Sequence, residues 1–122
     1  LILRGSNSGP NSDESSVSDA QAKLTGASVN HRLMIDCSHG NSRKDHSKQP
    51  AVAQQVATQV ANGSTAIMGV MIESHLKAGK QNHQAGTPLV YGQSITDACL
   101  DWESTVPVLE QLAAAVRDRR RK

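Results

Sequence analysis

Three short apolar segments recur along the chain at nearly equal intervals, and this rhythm constrains the fold more than any other feature. They end near Arg4, Cys37 and Ile72, so the intervals from residue 4 to 37 and from 37 to 72 are 33 and 35 residues. The second segment is HRLMIDC (31–37). The third, TAIMGVMI (65–72), is apolar on both faces, which is typical of a parallel strand covered on both sides. We therefore predict parallel strands joined by right-handed crossovers.

Apolar residues at helical spacing lie inside each interval. Val17, Ala20 and Leu24 form the first stripe, and Gly26 is a natural helix stop. The second helix is predicted to begin near Pro50 and to end at Asn62-Gly63. Its stripe consists of Val52, Val56 and Val60. Strand and helix patterns thus alternate, which predicts an α/β fold with a parallel sheet.

The last third of the chain is predicted to contain a long loop and a terminal helix. Residues 76–93 are rich in Gly, Gln and His, which favours a loop. In the terminal helix, Ser104 is the candidate N-cap and Pro107 is expected in the first turn. One apolar face is expected to hold Leu109, Leu112, Ala113 and Val116.

Three strands cannot close a barrel, and they leave two unpaired sheet edges. The chain has 122 residues, enough for one small domain. It begins with Leu1 rather than Met, and no basic and apolar leader is visible. We therefore expect residues 1–122 to form one partial domain, a segment of a larger α/β barrel.

The composition excludes several classes of protein. Aromatic residues make up 2% of the chain, so the core must be built from aliphatic side chains, with Met34, Met68 and Met71 as filler. The longest mainly apolar run, 65–72, is too short to span a bilayer. Two cysteines exclude a disulfide scaffold and a four-cysteine zinc module. Cys37 and Cys99 are interpreted as small core residues.

The net charge of +2 is unevenly distributed. Residues 117–122 carry five positive charges and one negative charge, so the rest of the chain is slightly acidic. A basic tail of this kind can bind nucleic acid. The interpretation we favour is a solvated helix end whose cations complement the helix dipole, because no aromatic or Gly/Arg pattern interleaves with the charges.

Polar residues at the carboxyl ends of the strands are the candidates for chemistry, because function in parallel α/β folds is located there. His39 and Glu73 follow the second and third strands, and Asp97 lies in the downstream segment SITDAC. One imidazole and two carboxylates can hold a divalent cation, and such a set suits Mn, Fe, Co or Zn better than Ca. Arg4, after the first strand, can grip a phosphate or carboxylate.

Each candidate also has a purely structural interpretation. His39 can cap or lie at the surface, and Asp97 can cap a short helix beginning near Ile95. Asp36 needs a partner if it is buried, and it can orient the neighbouring loop or accept a hydrogen bond from His39. Three further histidines, namely His46, His75 and His83, are interpreted as polar loop residues.

Four stretches resemble the class I 3-deoxy-D-arabino-heptulosonate 7-phosphate (DAHP) synthases. They are LILRG (1–5) with Gly9-Pro10-Asn11, LMIDCSHGNSRKDH (33–46), GVMIESHL (69–76) and PLVYGQSITDACLDWEST (88–105). The resemblance covers essentially the whole chain. It implies the C-terminal third of a (β/α)8 TIM barrel, about strands six to eight with their helices.

The resemblance also implies a function and roles for the candidate residues. The family condenses phosphoenolpyruvate with erythrose 4-phosphate and releases phosphate, which is the first step of the shikimate pathway to aromatic amino acids. Its divalent metal is held by Cys, His, Glu and Asp, and the last three correspond to His39, Glu73 and Asp97. Arg4 corresponds to an arginine that contacts phosphoenolpyruvate. His39 and Arg4 are thereby implied as catalytic, and Arg4 and Asp97 as substrate-binding.

The chain departs from the family pattern at several points. The family's metal-binding Cys and its Lys-Pro-Arg-Thr segment lie on parts of the barrel that these 122 residues do not include, and Cys37 and Cys99 match neither. The usual LRGG is LRGS here, with Ser6 in place of the second Gly, and Pro-Asn-Tyr is Pro10-Asn11-Ser12. We therefore expect this chain alone to be inactive.

The expected setting follows from the resemblance and the composition together. The full-length protein is expected to be a cytoplasmic homo-oligomer without nucleic-acid or membrane partners. The alternative function is non-enzymatic: a barrel fragment or interaction module that associates through its open sheet edges.

Overall fold

A computed structural model describes all residues, 1–122. It contains five strands and three helices. In chain order they are β1 (Ile2–Leu3), α1 (Glu14–Gly26), β2 (Leu33–Asp36), α2 (Gln49–Ala61), β3 (Ile67–Met71), β4 (Lys77–Lys80), β5 (Gln93–Ser94) and α3 (Trp102–Arg120). A short 3-10 turn, His46–Lys48, precedes α2.

The main sheet has the order β1-β2-β3, and both pairs of neighbouring strands are parallel. Met34 on β2 lies in register with Ile2 on β1 and Gly69 on β3. The predicted strand rhythm and the parallel α/β class are therefore confirmed. Within this sheet the outer edges of β1 and β3 have no neighbouring strand, as expected for three strands that do not close.

The core lies on one face of the main sheet, beneath the helices. Leu33, Ile35 and Val56 are at most 1% exposed, and they anchor the larger apolar cluster. On the opposite face Ile2 and Met68 are 58% and 66% exposed. The prediction that the third strand is covered on both faces is therefore wrong for this chain, because its helices all pack on the same side.

The three methionines do not fill the core as predicted. Met68 is exposed, and Met34 and Met71 are only partly buried. All three lie on strands of the main sheet, and the helices cover only the other face of that sheet. Cys37, by contrast, is completely buried in a second small cluster with Val108 of α3, as predicted for a core cysteine.

The first two helices agree with prediction, and local sequence features define their ends. α1 begins after Asp13, whose carboxylate accepts hydrogen bonds from the backbone N–H and hydroxyl of Ser16. These hydrogen bonds hold the pKa of Asp13 below its usual value. α1 ends at Gly26, and α2 ends just before Asn62-Gly63.

The terminal helix begins three residues earlier than predicted. Its N-cap is Asp101, whose carboxylate accepts from the Ser104 backbone N–H, and these contacts lower the pKa of Asp101. Ser104 is therefore not the cap. Pro107 lies inside the helix, in its second turn, rather than in the first turn.

The buried face of α3 agrees only in part with the predicted one, because Leu112 and Val116 pack against the core but Leu109 and Ala113 do not. The most buried residues are Thr105, Val108 and Ala115, whereas Leu109 is 46% exposed and Ala113 is also exposed. α3 is apolar over more than one face, so its periodicity does not reveal which face meets α2. The small side chains pack against α2, and Leu109 instead lines an open groove with Trp102.

Residues 76–93 are more ordered than the predicted loop. β4 and β5 pair in parallel as a second, two-stranded sheet. The side chain of Gln81 ties the intervening segment together, donating to the carbonyls of Val90 and Gln93 and accepting from the Val90 N–H. Both strands are too short to leave a periodic pattern. The helix expected near Ile95 is absent, because residues 95–97 form a bend.

An open apolar groove of about 630 Å³ runs between the free edge of β3 and α3. Val70, Ile72, Trp102 and Leu109 line it, and Trp102 is 54% exposed. Together with the unpaired edges of the main sheet, it leaves a broad apolar surface uncovered. None of the three helices is long and apolar enough to cross a membrane.

Candidate metal and anion site

The loops after β1 and β2 touch through two glycines. A Cβ on Gly40 would lie 2.6 Å from the carbonyl carbon of Gly5, and a Cβ on Gly5 would lie 2.5 Å from that of Gly40. Gly5 also has a φ of +75°, a conformation that residues with a Cβ rarely adopt. This contact places the loop that carries Arg4 directly against the loop that carries His39.

Asn41 locks the same two loops together with its buried amide. Its Nδ2 donates to the carbonyls of Leu3 (3.1 Å) and Asp36 (2.8 Å), and its Oδ1 accepts from the backbone N–H of Asn11 (2.7 Å). Its own backbone N–H donates to the Arg4 carbonyl at 3.1 Å. The ends of β1 and β2 are therefore fixed relative to each other by side-chain as well as sheet hydrogen bonds.

His39 is oriented by Asp36, as the sequence suggested. His39 Nδ1 lies 2.7 Å from Asp36 Oδ2, and Asp36 Oδ1 accepts from the Ser38 backbone N–H at 2.7 Å. Asp36 is 4% exposed, so its carboxylate needs these partners. With Nδ1 engaged as a donor to the carboxylate, Nε2 is the nitrogen left to bind a cation.

Glu73 lies two residues beyond β3 and is held at three points. Ser38 Oγ donates to Glu73 Oε2 at 2.7 Å. The side chain of Gln49 accepts from the Glu73 N–H (2.8 Å) and donates to the Glu73 carbonyl (3.0 Å). Glu73 Oε1 remains directed toward His39 Nε2, 3.7 Å away.

Asp97 reaches the same place from the bend between β5 and α3. Its Oδ2 lies 3.7 Å from His39 Nε2, and its side chain is 69% exposed. It does not cap a helix, since α3 is capped by Asp101. Because this carboxylate is exposed and lies beside a histidine and a second carboxylate, it is available to bind a ligand.

The ligand atoms of His39, Glu73 and Asp97 all lie within 4.8 Å of one another. Two ligands at about 2.1 Å from a metal and about 120° apart are about 3.6 Å from each other, close to the two 3.7 Å separations. His39 is the only residue with a nitrogen within ion-pair distance of either carboxylate. The donor set, in which neither carboxylate is paired with a Lys or Arg, therefore fits a divalent cation.

Two cavities meet at this site. One, of about 330 Å³, is lined by the three candidate ligands together with Lys44, His46 and others. Lys80 of β4 also lines it, which shows that the second sheet forms one wall. His46 is thus part of the cavity wall, whereas His75 and His83 are exposed as predicted.

The second cavity, of about 500 Å³, surrounds Arg4. It has no apolar and no acidic residue in its lining, and it carries three cationic side chains: Arg4, Arg43 and Lys44. His39 and Lys44 line both cavities. Arg43 and Lys44 have φ values of +53° and +61°, which is uncommon for residues with side chains. A cationic cavity without acidic residues suits a phosphate or carboxylate.

The cysteines do not supply a thiolate. Burial raises the pKa of Cys37 to about 12, and the neighbouring Asp36 charge acts in the same direction. Burial also raises the pKa of Cys99. Cys99 Sγ is 3.4 Å from the Asp97 carbonyl oxygen, to which it donates. The interpretation as a small core residue is thus confirmed for Cys37 but is wrong for Cys99, which is only partly buried and belongs to neither core cluster.

Sequence reasoning missed two residues that build the site, Gln49 and Asn41. Both are buried polar side chains in segments that look like ordinary loop and helix start. The only available signal is the position of Gln49 directly before Pro50, where a helix begins. Which backbone groups an amide will reach is decided by tertiary contacts, so spacing does not reveal it.

The fold and the site define a class: a parallel α/β domain that gathers a His and two carboxylates, with an anion-attracting cavity, at the carboxyl ends of its strands. Residues 1–110 match the model of the DAHP synthetase I family. The chain belongs to that family, as its sequence motifs suggested.

Similar proteins from a fungus and a bacterium are both named phospho-2-dehydro-3-deoxyheptonate aldolase. The chain is 53% identical over 122 residues to a phospho-2-dehydro-3-deoxyheptonate aldolase of Alternaria alternata, covering 98% of this chain and 33% of that protein. It is 48% identical over 120 residues to the Phe-sensitive enzyme of that name from Escherichia coli K12, covering 98% and 34%. The chain spans about a third of the length of these relatives.

A solved structure gives the same result. The chain superposes on phospho-2-dehydro-3-deoxyheptonate aldolase from Francisella tularensis SCHU S4 with a TM-score of 0.92 and 54% identity, covering 97% of this chain and 34% of that one. At 54% identity, the similarity indicates membership of one protein family and not a shared fold alone.

Proposed function

We propose that this chain is the C-terminal third of a (β/α)8 barrel that condenses phosphoenolpyruvate with erythrose 4-phosphate and water to DAHP and phosphate, the first step of the shikimate pathway. The observation that carries the proposal is the convergence of His39, Glu73 and Asp97 in a chain of this family. On this proposal, residues 1–122 are one part of a single barrel domain.

His39, Glu73 and Asp97 would hold the divalent metal, with a fourth ligand from outside these residues. The metal supplies Lewis-acid polarisation of the aldehyde or activation of a water. Mn, Fe, Co and Zn all suit the imidazole and carboxylate donors. Asp36 holds the His39 ring through Nδ1, and Ser38 holds one carboxylate oxygen of Glu73, so that the remaining donor atoms stay directed into the cavity.

Arg4 would bind the anionic groups of phosphoenolpyruvate. It lines the cationic cavity next to His39, and no carboxylate in the chain forms an ion pair with it. The Gly5–Gly40 contact and the Asn41 amide fix its loop against the His39 loop. Holding both reactants in one geometry lowers the entropic part of the barrier. Asp97, at the mouth of the metal cavity, would contact the second substrate.

The full-length enzyme is proposed to be a cytoplasmic homo-oligomer. The location is supported by the similarity to biosynthetic enzymes such as that of E. coli. The oligomer is supported by the apolar surface that this chain leaves uncovered. We propose no nucleic-acid partner, because the basic residues 117–122 form the last turn of α3 and the two residues after it, and none of them lines either cavity.

The direct test is a graft, in which this whole chain replaces the matching third of the E. coli Phe-sensitive enzyme. We expect the graft to consume phosphoenolpyruvate and release phosphate only with both substrates present, and to lose activity with a chelator. Phosphate release and product formation are the measurements. A graft that folds like its E. coli parent but forms no product at any added divalent metal contradicts the proposal.

The 122-residue chain alone is expected to show no turnover and to associate. One metal ligand and most of the expected phosphate contacts lie outside it, and the edges of β1 and β3 and the groove beside Trp102 are uncovered. An activity assay and light scattering on the purified chain test this. Robust turnover, or a monomer that unfolds cooperatively, contradicts the expectation.

A non-catalytic interaction module is the second candidate function, and the same uncovered surface favours it. It differs from the first candidate in one result: the graft would fold and yet make no product. Activity of the graft would leave the module without support.

A further inference from the structure

We infer that Gln49 is a positioning residue for the candidate metal ligand Glu73, so that metal affinity depends on its side-chain amide. The inference rests on the proposed function only in taking Glu73 as a ligand. Gln49 is 0% exposed, and no motif or resemblance pointed to it. Its two polar atoms both contact the backbone of Glu73.

The main-sheet ladder stops just short of Glu73. The last bond between β2 and β3 runs from the Cys37 N–H to the Met71 carbonyl, at 2.8 Å. Beyond it, β2 has turned away into the His39 loop, so its backbone no longer pairs with that of Glu73. The Gln49 amide takes the place of the missing strand, accepting from the Glu73 N–H and donating to its carbonyl.

On its other side, Glu73 is held by the segment that leads into α3. The Leu100 N–H donates to the Glu73 carbonyl at 2.9 Å. The backbone of Glu73 is therefore clamped between the start of α2 and the start of α3. Ser38 Oγ then fixes Oε2, which leaves Oε1 facing His39 Nε2.

Loss of the Gln49 amide would leave the Glu73 N–H without a partner in a partly buried place, and the segment would move to regain one. Bond lengths to a metal tolerate only about 0.2 Å, so a small displacement of Oε1 lowers affinity. Residues that orient metal ligands typically change affinity by about 10–100-fold when replaced. This is the effect expected here.

The chain offers a matched control on the same helix. Gln59 is also buried, at 8% exposure, and its Nε2 donates to a backbone carbonyl, that of Ser12, at 2.7 Å. Gln59 contacts none of the candidate ligands. Replacing either glutamine by Met keeps the side-chain volume and removes a buried amide, but only Gln49→Met frees the backbone of Glu73.

The experiment measures Mn²⁺ binding to the graft without substrates, for the parent, Gln49→Met and Gln59→Met. We expect the Mn²⁺ Kd to rise about 10–100-fold for Gln49→Met and to stay unchanged for Gln59→Met, while both variants lower Tm. We also expect saturating Mn²⁺ to restore the kcat of Gln49→Met. If Gln49→Met does not fold, Gln49→Leu, which is smaller and also lacks hydrogen-bonding atoms, replaces it, with Gln59→Leu as its control.

An unchanged Kd for the Gln49 variant, or an equal rise for both glutamines, overturns the inference, because a merely structural role predicts one or the other. The result is separable from the proposed function. A graft that binds Mn²⁺ tightly but makes no DAHP contradicts the function alone. A graft that is active, with a Kd insensitive to Gln49, contradicts this inference alone.

Discussion

Glu73→Gln in the graft is expected to lower the turnover of the condensation by about 10³-fold, the largest effect of any single substitution that we predict. The change removes one negative charge from the His39, Glu73 and Asp97 set and replaces a carboxylate ligand with a neutral amide. Metal chemistry at such a site supplies several kcal/mol of transition-state stabilisation, and each 1.36 kcal/mol is about tenfold in rate. Steady-state kinetics across a series of Mn²⁺ concentrations is the measurement.

Glu110→Gln is the matched control for this prediction. Glu110 is an exposed acid of α3 with no ion pair, so the same change of charge is made far from the site. We expect its kinetics to equal those of the graft. Undiminished metal-dependent activity in Glu73→Gln would remove Glu73 from the proposed metal site, whatever the behaviour of the control.

Gly40→Ala is expected to destabilise the graft by about 1–3 kcal/mol, the range for overpacking a filled site. The new methyl group would lie 2.6 Å from the Gly5 carbonyl carbon and 2.7 Å from the Ser6 nitrogen, so backbone must move. Because the Arg4 loop is displaced from the His39 loop, we also expect the KM for phosphoenolpyruvate to rise about tenfold or more. Urea unfolding and steady-state kinetics measure the two effects.

Gly26→Ala separates this contact from the general cost of adding a methyl group. A Cβ on Gly26, at the end of α1, would meet nothing within 4 Å, and its φ is not positive. We expect little change or a small gain in stability, because alanine reduces the freedom of the unfolded chain. If Gly40→Ala behaves like Gly26→Ala, the two site loops are not held by the glycine contact.

The strands and the first two helices were predictable because their signals are local. The Val52, Val56 and Val60 stripe is the face that α2 buries, and the apolar run at 65–72 contains β3, although only one face of that strand is covered here. The terminal helix was predicted less well, because it is apolar on more than one face and because its N-cap is Asp101 rather than Ser104. β4 and β5 are too short to carry a periodic signal, so their pairing was not predicted.

Within the site, the residue types were predictable and their supports were not. Polar residues directly after buried strands are visible in the sequence, and this led to His39, Glu73 and Arg4. Asp97 also lies close to His39, although the short helix expected beside it is absent. Gln49 escaped notice because a glutamine at the start of a helix is usually solvated, and only packing shows that it is buried.

The sequence by itself determined the alternation of parallel strands and helices, the family, and the side chains able to hold a cation and an anion. It did so because alternation, spacing and residue chemistry are properties of short segments. Only the tertiary structure decided which face of each element is buried, how the Gly5 and Gly40 loops touch, and how Ser38 and Gln49 fix Glu73. These contacts join residues 24 to 35 positions apart, and such pairs form only when the crossovers bring the strand ends together.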